Sequence, residues 1–200
     1  MDGFSLHNEG VLLLSQGRPR EALDMLLKAM SVRPDIGTLY ADIGVAYLRI
    51  GMIEKALQFG DIAKKKIGHI SPVPHNIRAC ALAKMNRSIE AIKALRESLR
   101  LDEKQGKQHR NVAALYKHRS MMQDAARHYR RSLQLEPYHE ETYIIYCKVL
   151  ISLGQKEEAA RVLKEKTRFF NKMTRVLPVN RIESRGQQPA STGSEKWSKK

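Results

Sequence analysis

Cysteine is nearly absent: Cys80 and Cys147 are the only two in 200 residues. That is too few for a disulfide framework, and neither has the CxxC or CxxH spacing of a structural zinc site. A reducing, cytoplasmic home is the simplest expectation. Aromatic residues make up 6% of the chain, with 12 glycines and 7 prolines, poor material for a strand-rich sandwich. Long hydrophobic runs are also missing. The apolar stretch Val11 to Leu14 is far too short to cross a bilayer, and the opening MDGFSLHNEG carries an acid at position 2 without the basic flank of a secretory signal. Catalytic signatures are lacking too. There is no GxSxG, no glycine-rich phosphate loop ending in Lys-Ser or Lys-Thr and no HExxH, and His139-Glu140-Glu141 is only a passing likeness. The expectation is a protein that is not an enzyme and needs no cofactor.

What is present is 42% hydrophobic residues in 22.9 kDa, enough for a core, and a formal net charge of +15. An excess of this size attracts polyanions or acidic peptides, and its location is uneven. Basic residues number nine against eight acids over 1–71, fourteen against six over 72–139, three against four over 140–163, and ten against three over 164–200. The excess therefore lies in the middle of the chain and in the tail.

A period of about 34 residues organises the sequence. Ala22, Ala56, Ala91, Ala125 and Ala159 fall at intervals of 34, 35, 34 and 34. Five residues before each stands a turn-former: Gly17, Gly51, Asn86, Ser120 and Gly154. Twelve before come Gly10, Gly44, Ala79, Ala113 and Cys147, all small. Two antiparallel helices approach closely only where facing side chains are small, so each unit is predicted to be a helical hairpin with larger apolar residues beside the small ones. Leu13, Tyr47, Leu82, Tyr116 and Leu150 form one such column; Leu26, Gly60, Leu95, Tyr129 and Leu163 form another, in which Gly60 should leave a gap. One hairpin cannot bury its apolar face alone, which requires about five of them to stack into an α-solenoid.

This pattern resembles the tetratricopeptide repeat family. Its small residue in the first helix, alanine in the second and proline near the end are matched by stretches such as EGVLLLSQGRPREALDMLLKAMSVRP. The resemblance implies an all-α, right-handed superhelix over residues 1–177, with units near 3–36, 37–71, 72–105, 106–139 and 140–173 and a terminal helix capping the last. Departures are local. His75 and His109 replace the usual large apolar residue of the first helix, Lys166 stands where a small residue is expected, and Pro72 and Pro74 should shorten the start of the third unit. Thr167 to Leu177 continues a helical stripe through Phe169, Phe170, Met173, Val176 and Leu177, whereas 178–200 reads as a disordered basic tail.

The family's concave face is lined by fixed columns of each first helix. Carried onto this sequence they include His7 and Asp42 in the first two units, Asn76, Cys80, Ala83 and Lys84 in the third, Lys107, Arg110, Asn111, Ala114, Lys117 and His118 in the fourth, and Ile144 and Lys148 in the fifth. The resemblance thus implies a groove whose basic wall is Lys84, Lys107, Arg110, Lys117 and Lys148. Asn76 and Asn111 would pair with peptide groups, and Ile144 would give an apolar contact. Such a groove suits an extended or helical partner segment bearing acidic residues, in a scaffold or adaptor that supports complex assembly. The subclass that clamps a chaperone's terminal carboxylate is not matched, since only Asn111 fits its pattern across units three to five.

Three other readings compete. Arg87, Lys93, Arg96, Arg100, Arg127, Arg130 and Arg131, with the tail, offer a nucleic-acid footprint, though aromatic stacking platforms are sparse. The terminal helix offers a weaker peripheral contact with anionic membrane, against its plainer role as a cap. The first unit begins almost at Met1 with no capping helix before it, so self-association through its open face is an expectation. His75 and His109 hold equivalent positions, as slot-fillers more readily than as metal ligands.

Overall fold

The computed structural model describes residues 2–176, with side chains described to residue 172. The tail 178–200 and the side chains of Met173, Val176 and Leu177 lie outside the described residues. Within them the chain forms ten α-helices and no strand: α1 (Gly3–Ser15), α2 (Pro19–Val32), α3 (Gly37–Ile50), α4 (Ile53–Ile67), α5 (Val73–Lys84), α6 (Ser88–Leu101), α7 (Gly106–His118), α8 (Met122–Leu135), α9 (Glu140–Ser152) and α10 (Lys156–Val176). Consecutive helices pack against one another along the chain, giving five hairpins stacked as a solenoid.

Local chemistry sets the helix ends. Asp2 caps α1 by accepting the Ser5 N–H at 2.8 Å, and Pro19 begins α2 with its fixed φ. An acid in the first turn of each second helix (Glu21, Glu54, Glu90, Asp124, Glu157) complements the positive end of the helix dipole. The five turn-formers all adopt the left-handed conformation: Gly17, Gly51, Asn86, Ser120 and Gly154 have φ of 76°, 93°, 59°, 60° and 76°. Each reverses the chain so that the next N–H returns to a carbonyl in the helix just ended. Arg18 to Leu13, Met52 to Tyr47, Arg87 to Leu82, Met121 to Tyr116 and Gln155 to Leu150 are all 2.9 Å. This is the Schellman closure repeated five times.

The alanine column is buried throughout, with at most 3% exposure at Ala159. Its helices approach so closely that a Cβ on Gly10 would lie 2.6 Å from Leu26 Cγ. Gly60 leaves no gap, contrary to expectation. A Cβ there would stand 3.0 Å from Arg78 Cγ and 3.1 Å from Ile77 Cγ2, because α5 of the following unit packs into the space. Leu163, in the same column of the fifth unit, is exposed, with no sixth unit against it among the described residues. The terminal helix is not a separate element. It is the outer part of the 21-residue α10, held by Phe170 packed edge-on against Tyr143 at 6.4 Å and by Lys166 Nζ at 2.6 Å from Glu140. Pro72 precedes the first residue of α5, at 12 residues the shortest helix described.

Candidate interaction groove

The first helices do not stack evenly. α1 and α3 are joined by a His7 Nε2 to Asp42 Oδ2 contact of 2.7 Å, and Arg49 donates to the Leu14 carbonyl. These groove columns of the first two units therefore satisfy one another. Burial pushes the Asp42 carboxyl up, opposed by its bond to His7. α3 also packs on α5. Between α5 and α7, by contrast, a cleft of about 380 Å³ opens, with α6 behind it. Its walls are short or apolar (Ala79, Ala83, Leu95, Ala114, Leu115), and Lys84, Asn111 and His118 also line it. Cys80 lies among them. Burial raises its thiol pKa while the Lys107 and Lys84 ammonium groups pull it back down, so two positive charges from two helices act on one spot.

Of the groove residues expected from sequence, Lys84 and Asn111 meet in this cleft. Asn111 Nδ2 donates to Gln108 Oε1 at 3.0 Å. Lys107 and Lys117 are exposed on α7, and Ile144 and Lys148 are exposed on α9, outside the cleft. Asn76 and Arg110 are engaged inside the fold. Asn76 Nδ2 donates to Gln105 Oε1 at 2.9 Å, and its own Oδ1 is buried without a partner. Gln105 in turn donates to the Ser98 and Asp102 carbonyls, closing the α6–α7 loop. Arg110 Nη1 lies 2.9 Å from Glu136 Oε2, with both side chains about one-fifth exposed, while Glu136 Oε1 accepts the Lys107 N–H. The Asn76 amide N–H is therefore engaged within the fold, and the charge of Arg110 is answered within the chain.

Five of the seven basic residues in the nucleic-acid reading are likewise paired: Arg87 with Glu90, Arg100 with Glu97, Arg127 with Asp124, Arg130 with Glu158 and Arg131 with Glu103. His75 and His109 are both buried, each with Nε2 bonded to a carbonyl of the preceding loop, Gly68 at 2.9 Å and Glu103 at 3.1 Å. Among the described residues no three His, Cys, Asp or Glu side chains come together to hold a metal ion. Nor is any described helix long and apolar enough to cross a membrane. His128, which no sequence motif singles out, is drawn into contact with His109, the two Nδ1 atoms 3.1 Å apart. The only signal for it was an imidazole in a column otherwise filled by Met25, Phe59, Ala94 and Val162.

A tetratricopeptide repeat family model matches residues 75–105, the third unit. No curated protein matches the chain in sequence. Among solved structures, MamA is similar at a TM-score of 0.73 and 16% identity, over 86% of this chain and 94% of that one. MamA from Desulfovibrio magneticus RS-1 is similar at 0.72 and 14%, over 85% and 96%. YrrB, described as a TPR protein with an unusual peptide-binding site, is similar at 0.66 and 17%, over 88% and 93%. At these identities the likeness is one of fold.

Proposed function

Since the chain is a tetratricopeptide-repeat protein, we propose that it is a non-enzymatic interaction scaffold that takes an acidic segment of a protein partner on its concave side and supports assembly of a complex. The observation that carries this reading is the cleft between α5 and α7. It offers apolar walls for an anchoring side chain, with Lys84 and Lys107 to receive carboxylates beside it. Asn111, Lys117, Ile144 and Lys148 extend the surface along α7 and α9. Asn76 and Arg110 contribute by holding the loops on which that surface is built. Peptide binding by YrrB, a relative in fold, supports the same use of the architecture.

The test is affinity capture with nuclease present, mapping of the bound segment, and titration of that segment as a synthetic peptide. The comparison variant is Lys84→Glu with Lys107→Glu and Lys117→Glu, which leaves the Arg110 to Glu136 bridge intact. At least tenfold weaker binding by the variant is expected, with unchanged circular dichroism; equal binding would refute the groove. Nucleic acid is the lesser reading, because five of its arginines already have carboxylate partners. Recovery of nucleic acid, with protein partners lost to nuclease, would reverse that order. Val11 and Leu12 are exposed on α1. Self-association through that face requires a concentration-dependent mass in light scattering, and a constant monomer mass removes it.

A further inference from the structure

On the side of α7 away from the cleft, a second cavity of about 390 Å³ lies between α6 and α8. Arg96 reaches it from α6, His109 and Tyr116 form its floor on α7, and Asp124, Arg127, His128 and Arg131 line it from α8. Three guanidinium groups thus surround two imidazoles, against one carboxylate in the wall. Arg131, though bonded to Glu103 and Gln134, keeps a buried Nε–H without an acceptor. Arg127 is bonded to Asp124, but its side chain is 78% exposed, so that pair is weak and exchangeable.

The neighbouring gap, between α8 and α10, shows what a balanced version looks like. There Arg130 bonds both Tyr146 Oη at 2.9 Å and Glu158 at 3.0 Å, and Glu165 lines the same space. In that gap the chain supplies its own acids and hydroxyl. Between α6 and α8 the three guanidinium groups meet two carboxylates, Asp124 and the more distant Glu103, which leaves one positive charge over.

The tautomers follow from the contacts. The Glu103 carbonyl only accepts, so His109 Nε2 carries the hydrogen and its Nδ1 is a bare acceptor. His128 Nδ1 must then donate to it, which leaves His128 Nε2 as a lone pair in the neutral ring. Burial, the His109 ring and the Arg127 guanidinium hold the His128 pKa down at about 4, with Arg96 acting the same way and Asp124 opposing. An anion in the cavity would offset that penalty in part, because a proton taken from solvent onto Nε2 makes the ring a further donor beside a negative charge.

We propose that this cavity binds a phosphate monoester between Arg96, Arg127 and the His128 ring. Guanidinium forks match a tetrahedral oxyanion. The three free oxygens of a phosphoryl group can meet two guanidinium groups and the ring at once, whereas the two oxygens of a carboxylate would merely replace Asp124. A discrete pocket between two helices suits one phosphoryl group better than the continuous track that a phosphodiester strand requires.

The full-length chain is titrated by calorimetry with inorganic phosphate, with a phosphoserine peptide and with a single-stranded RNA oligonucleotide, and the His128 ring is followed by NMR against pH. Saturable binding of phosphate or the phosphopeptide is expected, weakened at least tenfold by Arg96→Ala or Arg127→Ala and unchanged by Arg20→Ala, an exposed position on α2 far from both the cleft and the cavity. Preference for the peptide over free phosphate would identify a phosphorylated protein as the source, and the converse a small metabolite. In the wild type, which depends on no variant folding, phosphate should raise the His128 midpoint from about 4 by one unit or more. An unmoved midpoint, or RNA binding at these residues that phosphate cannot displace, would overturn the proposal.

Discussion

Units two and four solve one packing problem with different chemistry. In unit two, Phe59 of α4 lies against Tyr40 and Tyr47 of α3, at ring distances of 6.3 and 5.3 Å. At the matching positions of unit four, His128 of α8 lies against His109 and Tyr116 of α7, at 5.3 and 5.6 Å. The geometry is nearly the same, so the hairpin tolerates either set. The difference is that aromatic rings are content with contact, whereas imidazoles need hydrogen bonds, protons and a surrounding charge that suits them. Unit two's cluster packs and meets its polar needs locally, with Tyr40 Oη donating to the Pro34 carbonyl at 2.9 Å and the Lys55 and Lys66 ammonium groups over the Tyr47 and Tyr40 rings. Unit four's cluster packs and also borders a positively charged cavity.

Truncation should separate the two most widely. Phe59→Ala removes a half-buried ring from the core of the first two units and should cost about 2–3 kcal/mol in urea unfolding. His128→Ala removes a smaller, partly polar and half-buried ring, and should cost about 1 kcal/mol or less near pH 7. Equal costs would mean that the imidazole pair bears as much of the packing as the aromatic cluster does.

Acid should sharpen the contrast. The unfolded His128 ring titrates near 6.5, the folded one at about 4, so below 6.5 the unfolded chain binds the extra proton first. Its stabilising contribution is complete above 6.5 and drains away as pH falls towards 4. Burial lowers the His109 pKa as well, which adds in the same direction. Because His128 is only half-buried, the loss by pH 5 is about 1 kcal/mol once solvent screening is allowed for. His128→Phe, which gives unit four the ring of unit two, should flatten that part of the pH profile. Its persistence in His128→Phe would place the sensitivity elsewhere.

What could be read from the sequence follows the same divide. The turn column and the alanine column were legible because each answers a backbone demand that recurs in every unit: a left-handed residue, and a close helix approach. The partners of Asn76 and Arg110 were not legible, because Gln105 and Glu136 sit in the loops before α7 and α9. Loop side chains obey no helical period, so a column can say which way a residue faces but not who meets it there. Gly60 failed for a related reason. Its space is filled by Ile77 and Arg78 of the next unit, and packing between units depends on how the hairpins stack. His128 was passed over as one of several scattered histidines, because a single departure in a column gains meaning only when His109 and three arginines surround it.

The turns of the same two units give the finest comparison. Gly51 and Ser120 occupy equivalent places, with φ of 93° and 60°, and both precede the same Schellman bond. A Cβ at Gly51 would touch nothing within 4 Å, so any cost of Gly51→Ala is conformational and not steric. Holding an L-residue in the left-handed region should cost about 1 kcal/mol. The reverse change, Ser120→Gly, removes that strain but loosens the unfolded chain, two terms of similar size and opposite sign. Its net gain should be no more than about 0.5 kcal/mol, read as a small rise in urea midpoint. If Gly51→Ala is neutral as well, the left-handed turn is held by the hairpins on either side of it, and the glycine column reflects convenience more than necessity.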